Sequence, residues 1–281
     1  MKGLMIQGTS SDAGKSFIVT GLCRLFSRGF NFKVCPFKSQ NMSNISYKLP
    51  NGLEMALAQA VQARAAGIEP EVFMNPILLK PRHEKSSDII LNGKLFERPA
   101  EKNFYFENFT ENEGIKAVRE ALNFIKKNFD AIIIEGAGSP AEINLNAHEI
   151  VNMRIAREAD VPVILVTDVD RGGSIASAVG TLELLGNDRE RVKGIIFNKF
   201  RGDINLFDSA IKFTENYTGV KVLGVVPFAK NILLEAEDSL SEASNRNIKD
   251  ENLITGEKVF DGIADLIKNN LDVNFLLGLM S

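Results

Sequence analysis

Short, wholly apolar runs alternate along this chain with longer stretches in which apolar residues recur at helical spacing. The first run, Leu4-Met5-Ile6, predicts a strand, and a helix is expected over 16–28. Phe32-Lys33-Val34-Cys35 predicts a second strand, stopped at Pro36. Residues 53–66 are rich in Ala and Gln, lack Gly and Pro, and precede Gly67, which predicts a helix with a stop signal. Further strands are expected at 88–91, 131–134, 161–166, 192–197 and 222–226, the last stopped by Pro227. Further helices are expected at 114–128, 147–159, 175–185, 204–217 and 259–269. In the first of these, Ile115, Val118, Ala121, Leu122 and Ile125 share one face.

Apolar strands in alternation with helices predict an α/β fold: a mostly parallel sheet with helices on both faces. In such sheets ligands sit beyond the C-terminal strand ends. Two stretches do not follow the alternation. Residues 82–112 read as an irregular excursion, either a substrate-side flap or a surface loop. Residues 228–256 are acidic and polar and read as a link to the terminal helix.

The length, 281 residues, fits one large α/β domain or two small ones, and a single domain over 1–281 is expected. A net charge of −3 gives no basic field for nucleic acid. No apolar run is long enough to cross a bilayer, and Met1 leads straight into the first strand, so no membrane partner and a cytoplasmic location are expected. Two cysteines, Cys23 and Cys35, make neither a disulfide framework nor a four-cysteine metal site.

The chemistry begins right after the first strand, in Gly8-Thr9-Ser10-Ser11-Asp12-Ala13-Gly14-Lys15-Ser16. Strand, Gly-rich turn ending in Gly-Lys-Ser, then helix is the arrangement of a phosphate-binding loop. Glycines let backbone N–H groups curl around phosphate oxygens, and the helix N-terminus adds partial positive charge. Lys15 supplies charge for the outer phosphates and the Ser16 hydroxyl can ligate Mg²⁺. The loop has one residue more between its first Gly and the Gly-Lys pair than the usual pattern. The competing reading is a structural Gly-rich turn.

Four further segments stand at strand ends. Ile134-Glu135-Gly136-Ala137-Gly138 puts a carboxylate where a second Mg²⁺ contact is needed, or leaves a solvated Glu. Pro36-Phe37-Lys38-Ser39-Gln40-Asn41-Met42-Ser43 offers another cation, Lys38, and the hydrogen-bonding groups Gln40, Asn41 and Ser43. Asn198, in Phe197-Asn198-Lys199-Phe200-Arg201-Gly202-Asp203, either pairs with a purine edge or makes a turn. Asp168-Val169-Asp170-Arg171-Gly172-Gly173-Ser174 either orients a substrate or metal or is a helix start capped by Asp170 or Ser174.

Taken in order, these segments, with Met74-Asn75-Pro76, Leu78-Leu79-Lys80-Pro81 and Glu135-Gly136-Ala137-Gly138-Ser139-Pro140-Ala141-Glu142, resemble the cobyric acid synthase family, a group of dethiobiotin synthetase-like P-loop NTPases. The resemblance covers nearly all of 1–228. It implies ATP- and Mg²⁺-dependent amidation of corrinoid side-chain carboxylates, from cobyrinic acid a,c-diamide to cobyric acid, through an acyl phosphate. It further implies catalytic roles for Lys15, Lys38 and Glu135. Nucleotide contacts would come from Gly8, Thr9, Asp12, Ala13, Gly14, Lys15, Ser16 and, at adenine, Asn198. Mg²⁺ would be served by Ser16, Glu135 and Glu54 or Asp12, and the corrinoid by Gln40, Asn41, Ser43, Lys80 or Arg171.

Members of that family normally carry a C-terminal glutaminase domain, which needs a Cys on a sharp Gly-flanked turn and a nearby His. Neither Cys23 nor Cys35 has that setting, and His83 and His148 read as surface or capping residues. No glutaminase is expected here, so ammonia would come from a separate glutaminase subunit, a missing domain or solution. A homodimer is compatible with the sequence. Two other readings share the loop: a related carboxylate-activating enzyme (dethiobiotin synthetase or a,c-diamide synthase), and a ParA-like nucleotide switch. Switches of that kind usually carry an additional Lys early in the loop, and Thr9 to Ala13 contain none.

Overall fold

The computed structural model describes residues 2–83, 86–97, 105–143, 149–229 and 256–280. In chain order, β1 (Gly3–Gly8) leads through the Gly-rich loop into α1 (Lys15–Arg24), and β2 (Val34–Phe37) follows. Three short strands, β3 (Gln40–Met42), β4 (Ser46–Lys48) and β5 (Glu54–Ala56), precede α2 (Leu57–Ala65). Next come β6 (Ile77–His83), β7 (Ser86–Leu91) and β8 (Lys94–Leu95), then α3 (Ile115–Asn128), β9 (Ala131–Glu135) and α4 (Met153–Ala159). The second half alternates β10 (Val163–Asp168), α5 (Ser174–Leu184), β11 (Val192–Phe200), α6 (Asp208–Thr218) and β12 (Lys221–Pro227), and ends in α7 (Glu257–Asn270) and α8 (Val273–Leu279).

The main sheet has the order β12-β11-β10-β1-β9-β2, and all its pairings are parallel. Every residue of β1, β9 and β10 is buried, because helices cover both faces. Side chains alternate between the two faces at the strand period. Leu4, Ile6, Ile133, Ile164 and Val166 join one core with Ile18 and Leu22 of α1 and Ile263 and Ile267 of α7. Met5, Ile132, Ile134, Val163 and Leu165 join the other, with Val118, Leu122 and Ile125 of α3 and Leu182 of α5.

Pro36 lies inside β2 rather than ending it. The strand is at the sheet edge, where a missing N–H breaks no ladder. The helix expected over 53–66 starts only at Leu57. Residues 54–56 instead pair antiparallel with β4, and the Asn75 side chain accepts from Ala56 N–H at 3.0 Å. Tertiary pairing there overrides a good local helix preference. Nor is 82–112 irregular throughout: β7 pairs antiparallel with β6, and β8 with β7, giving a second sheet β3-β6-β7-β8. Part of that excursion, 98–104, lies outside the described residues, as do 144–148 with His148 and most of the 228–256 link. The start of α5 is capped by Gly173 at φ 69°, not by Asp170 or Ser174.

Helices α1 and α7 pack at close range. A Cβ on Gly21 would stand 2.6 Å from Ile267 Cγ1 and 2.9 Å from Ile263 Cγ2. At the end of α1 the buried Arg24 guanidinium bonds Glu257 at 2.6 Å and Asp261 at 2.7 Å. Gly21→Leu is therefore expected to lower unfolding free energy by about 1–3 kcal/mol through overpacking, which urea denaturation would measure. An unchanged midpoint would mean the helices separate without cost.

Candidate active site

The C-terminal ends of β1, β2 and β9 converge on a cavity of about 190 Å³. Its walls include Asp12, Lys15 and Ser16 of the loop, Lys38, Gln40, Asn41 and Ser43 after β2, Ala58 of α2, Glu135 at the end of β9, and Ala137 and Gly138 beyond it. The loop turns through two left-handed residues, Asp12 at φ 56° and Gly14 at φ 93°. At Gly14 a side chain is excluded twice, by that conformation and by Asn198 Nδ2, which would lie 2.0 Å from its Cβ. Asn198 Nδ2 donates to Ala13 O at 3.0 Å, so the end of β11 anchors the loop from below. Thr9 Oγ1 bonds Thr167 Oγ1 at 3.3 Å on the neighbouring strand end.

Lys15 is buried and its ammonium donates to Ser10 O at 3.1 Å and Gly138 O at 3.4 Å. It bridges the loop and the turn after β9. Glu135, 1% exposed, is the hub of the cavity. Its Oε1 accepts from Ser16 Oγ and from Lys38 Nζ, both at 2.8 Å, and its Oε2 accepts from Gln62 Nε2. Burial pushes its pKa up. The charge of Lys38 and the three donated bonds outweigh burial and hold the carboxyl below its ordinary value, so it is ionised.

Sequence reasoning missed several residues that hold this arrangement. Asn75 Nδ2 donates to Lys38 O at 3.0 Å and to Ile77 O at 3.1 Å, fixing the link between β2 and β3 that carries Lys38. Asn152 Nδ2 donates to Ala137 O at 2.7 Å and pins the turn after Glu135. Gln59 and Gln62 lie wholly buried on α2. Lys199 donates to Asp12 O and, at 3.2 Å, to Asp168 Oδ2. Buried amides inside an apolar helical run were the visible signal for the glutamines; for the rest only the fold reveals the contact.

The other expected site residues fall differently. Arg171 bonds Asp12 Oδ2 at 2.8 Å and approaches Asp168 Oδ2 at 3.6 Å, so it braces the loop rather than lining the cavity. Glu54 and Lys80 are not brought to the cavity walls. They pair with each other at 2.5 Å, and Ser46 adds a bond to Glu54 at 2.8 Å. Burial raises the Glu54 pKa, but Lys80 and Ser46 bring it below the ordinary value. Glu54 therefore stands apart from Ser16 and Glu135, and the structure does not bring it to them as a metal ligand. Cys23 and Cys35 are buried, and burial drives both thiols above their ordinary pKa, so neither serves as a thiolate.

Ser16 Oγ and Glu135 Oε1 offer two hard oxygen donors side by side, which suits Mg²⁺ completed by water and phosphate oxygens. Among the described residues no group of three or more His, Cys, Asp or Glu forms a protein-only metal cage. No described helix is long and apolar enough to cross a membrane.

Residues 4–241 match the family described as the CobQ/CobB/MinD/ParA nucleotide binding domain. The chain belongs to this family. A cobyric acid synthase of Anoxybacillus flavithermus is 48% identical over 249 residues, which is 88% of this chain and 49% of that protein. A cobyric acid synthase of Geobacillus kaustophilus is 50% identical, over 85% of this chain and 47% of its own. A probable cobyric acid synthase of Methanothermobacter thermautotrophicus is also 50% identical, with the same two coverages of 85% and 47%. The chain therefore spans about half the length of the curated relatives it matches. Among solved structures, the cell division ATPase MinD of Pyrococcus furiosus overlaps 96% of this chain at 18% identity with a TM-score of 0.45, a likeness too slight to bear on function.

Proposed function

We propose that this domain binds ATP with Mg²⁺ and uses it to activate a carboxylate for amidation, the acid being a side chain of cobyrinic acid a,c-diamide and the product cobyric acid. The observation that carries the reading is the cluster of Lys15, Ser16, Lys38 and Glu135 at the mouth of the phosphate-binding loop, beside the polar segment Gln40 to Ser43. The identity of the acid rests on the cobyric acid synthases that match this chain.

A carboxylate is a poor electrophile. Its oxygen attacks the γ-phosphorus of ATP, the bond to the β-phosphate oxygen breaks, and ADP leaves. Ammonia then attacks the acyl carbon of the acyl phosphate, loses a proton, and inorganic phosphate departs. Such chemistry asks for charge and positioning, not for a covalent nucleophile. Lys15 and Lys38 supply cations for the phosphate oxygens. Bound at Ser16 and Glu135, Mg²⁺ would neutralise charge on the β- and γ-phosphates. Gln40, Asn41 and Ser43 offer hydrogen bonds to the incoming acid or its neighbouring amides. The ammonia source is a glutaminase elsewhere or free ammonium.

Asn198 is assigned to adenine. Because Nδ2 donates to Ala13 O, the amide orientation is set, and Oδ1 is the atom that can accept from the adenine amino group. Guanine presents an oxygen there instead. Asn198→Ala is expected to reduce ATP-over-GTP discrimination about tenfold, about 1.4 kcal/mol; unaltered preference in nucleotide titrations would remove Asn198 from base recognition.

The test of the function is ADP release by the purified chain with Mg²⁺ and ammonium, with and without cobyrinic acid a,c-diamide, with mass spectrometry of the corrinoid. Corrinoid-dependent ADP release and stepwise replacement of hydroxyl by amino are the expected result. Slow hydrolysis indifferent to the corrinoid would overturn it in favour of a nucleotide switch.

A further inference from the structure

Gln59 and Gln62 are fully buried on α2 among Leu57, Ala60, Val61 and Ala63. An amide buried in such company is costly unless its hydrogen bonds are made. Their spacing of three places both on one helix face. Together with residues on either side they form a directed chain. Asn41 Nδ2 donates to Gln59 Oε1 at 3.4 Å, Gln59 Nε2 donates to Gln62 Oε1 at 3.4 Å, and Gln62 Nε2 donates to Glu135 Oε2 at 2.5 Å. Every link donates toward the carboxylate, so each amide polarises the next in the same sense.

The chain joins two parts of the cavity that have different tasks. Asn41 lies on its wall beside Gln40 and Ser43, while Glu135 stands with Ser16 and Lys38. The two oxygens of Glu135 are not equivalent: Ser16 and Lys38 share Oε1, and Gln62 takes Oε2. When phosphates draw Lys38 away and a cation approaches Oε1, the neutral donor on Oε2 keeps the carboxylate from turning. A neutral amide does this without competing with the cation for the negative charge.

We infer that Gln62 is a positioning residue that holds Glu135 ready for the Mg²⁺–nucleotide complex, and that Gln59 links that hold to Asn41 at the wall assigned to the acid substrate. The inference rests on the proposed role of Glu135 toward Mg²⁺. Partners that orient a metal-ligating carboxylate are typically worth about 10–100-fold in metal affinity.

The test is calorimetric ADP binding by the full chain over a range of Mg²⁺ concentrations, with thermal unfolding in parallel. Gln62→Met keeps the length of the side chain and removes the donor. It is expected to leave Mg²⁺-free ADP binding unchanged and to raise the half-saturating Mg²⁺ concentration about tenfold. In a Gln62→Met protein that folds, a wild-type Mg²⁺ requirement overturns the inference. Should that variant not fold, Gln62→Asn, which retains a buried amide one methylene short, is held to the same two outcomes. The link to Asn41 is read in a double-mutant cycle. Asn41→Ala raises the Mg²⁺ requirement when Gln62 is present and adds nothing in Gln62→Met, and equal effects in both backgrounds overturn the link. Glu135→Gln is the control that separates the two levels. If it too leaves the Mg²⁺ requirement untouched, the metal role of Glu135 falls, and this inference falls with it.

Discussion

Replacing Lys15 with Ala is expected to lower nucleotide-dependent turnover by about 10²–10³-fold or more, with a thermal midpoint close to that of the unaltered chain. Lys15 is buried, and its ammonium donates to Ser10 O and Gly138 O, on two turns already held by other contacts. Asn198 fixes the loop at Ala13, and Asn152 fixes the turn at Ala137. With both turns so held, removing the ammonium is expected to leave the backbone in place and to take away the charge proposed to meet the ATP phosphates. ADP release and circular-dichroism melting check the two halves of this statement. Unchanged turnover would sink the assignment of the loop.

Glu135→Gln should act on both rate and stability. The substitution keeps size but removes the charge that partners Lys38 within the cavity. An uncompensated buried cation costs about 3–5 kcal/mol, and turnover should drop by about 10²–10³-fold with the loss of the proposed Mg²⁺ contact. Lys38→Met combined with Glu135→Gln should recover most of the stability and none of the activity, which separates the two roles. The pH dependence follows from the same residue. The folded pKa of Glu135 lies below its unfolded value, so its contribution to stability is complete above the ordinary carboxylate range and is lost as pH falls through the folded pKa. The acid limb of a stability–pH curve should be shallower in Glu135→Gln; an identical limb would mean another carboxylate sets it.

The alternation of buried strands and amphipathic helices was legible because β1, β9 and β10 each carry a continuous apolar run and alternate with helical spacing, as in a parallel sheet covered on both faces. The loop, Lys38, Glu135 and the cavity wall at Gln40, Asn41 and Ser43 were legible because they stand directly after such strands. What local pattern could not disclose was pairing at a distance. Residues 54–56 leave a good helical stretch because β4 is there to pair with, and Glu54 is taken up by Lys80 from β6. Of the second sheet, β7 was legible in part, as the strand expected at 88–91, whereas β6 was obscured by Pro81 between the charges of Lys80 and Arg82. Arg171 was placed at the right end of the sheet, but its partner, Asp12, is 159 residues away. The amide chain through Gln59 and Gln62 depends on α2 bringing Gln62 to Glu135 at the end of β9, which no spacing within α2 encodes.

In the proposed reaction ATP activates a carboxylate by phosphorylating it, and labelled oxygen follows that transfer. The corrinoid acid would be prepared with ¹⁸O in its carboxylates and turned over with ATP, Mg²⁺ and ammonium, and the released phosphate examined by mass spectrometry. Transfer of one ¹⁸O into phosphate for each amide formed is the predicted result, because the acyl phosphate breaks between carbon and that oxygen. Amide formation with unlabelled phosphate would contradict the account.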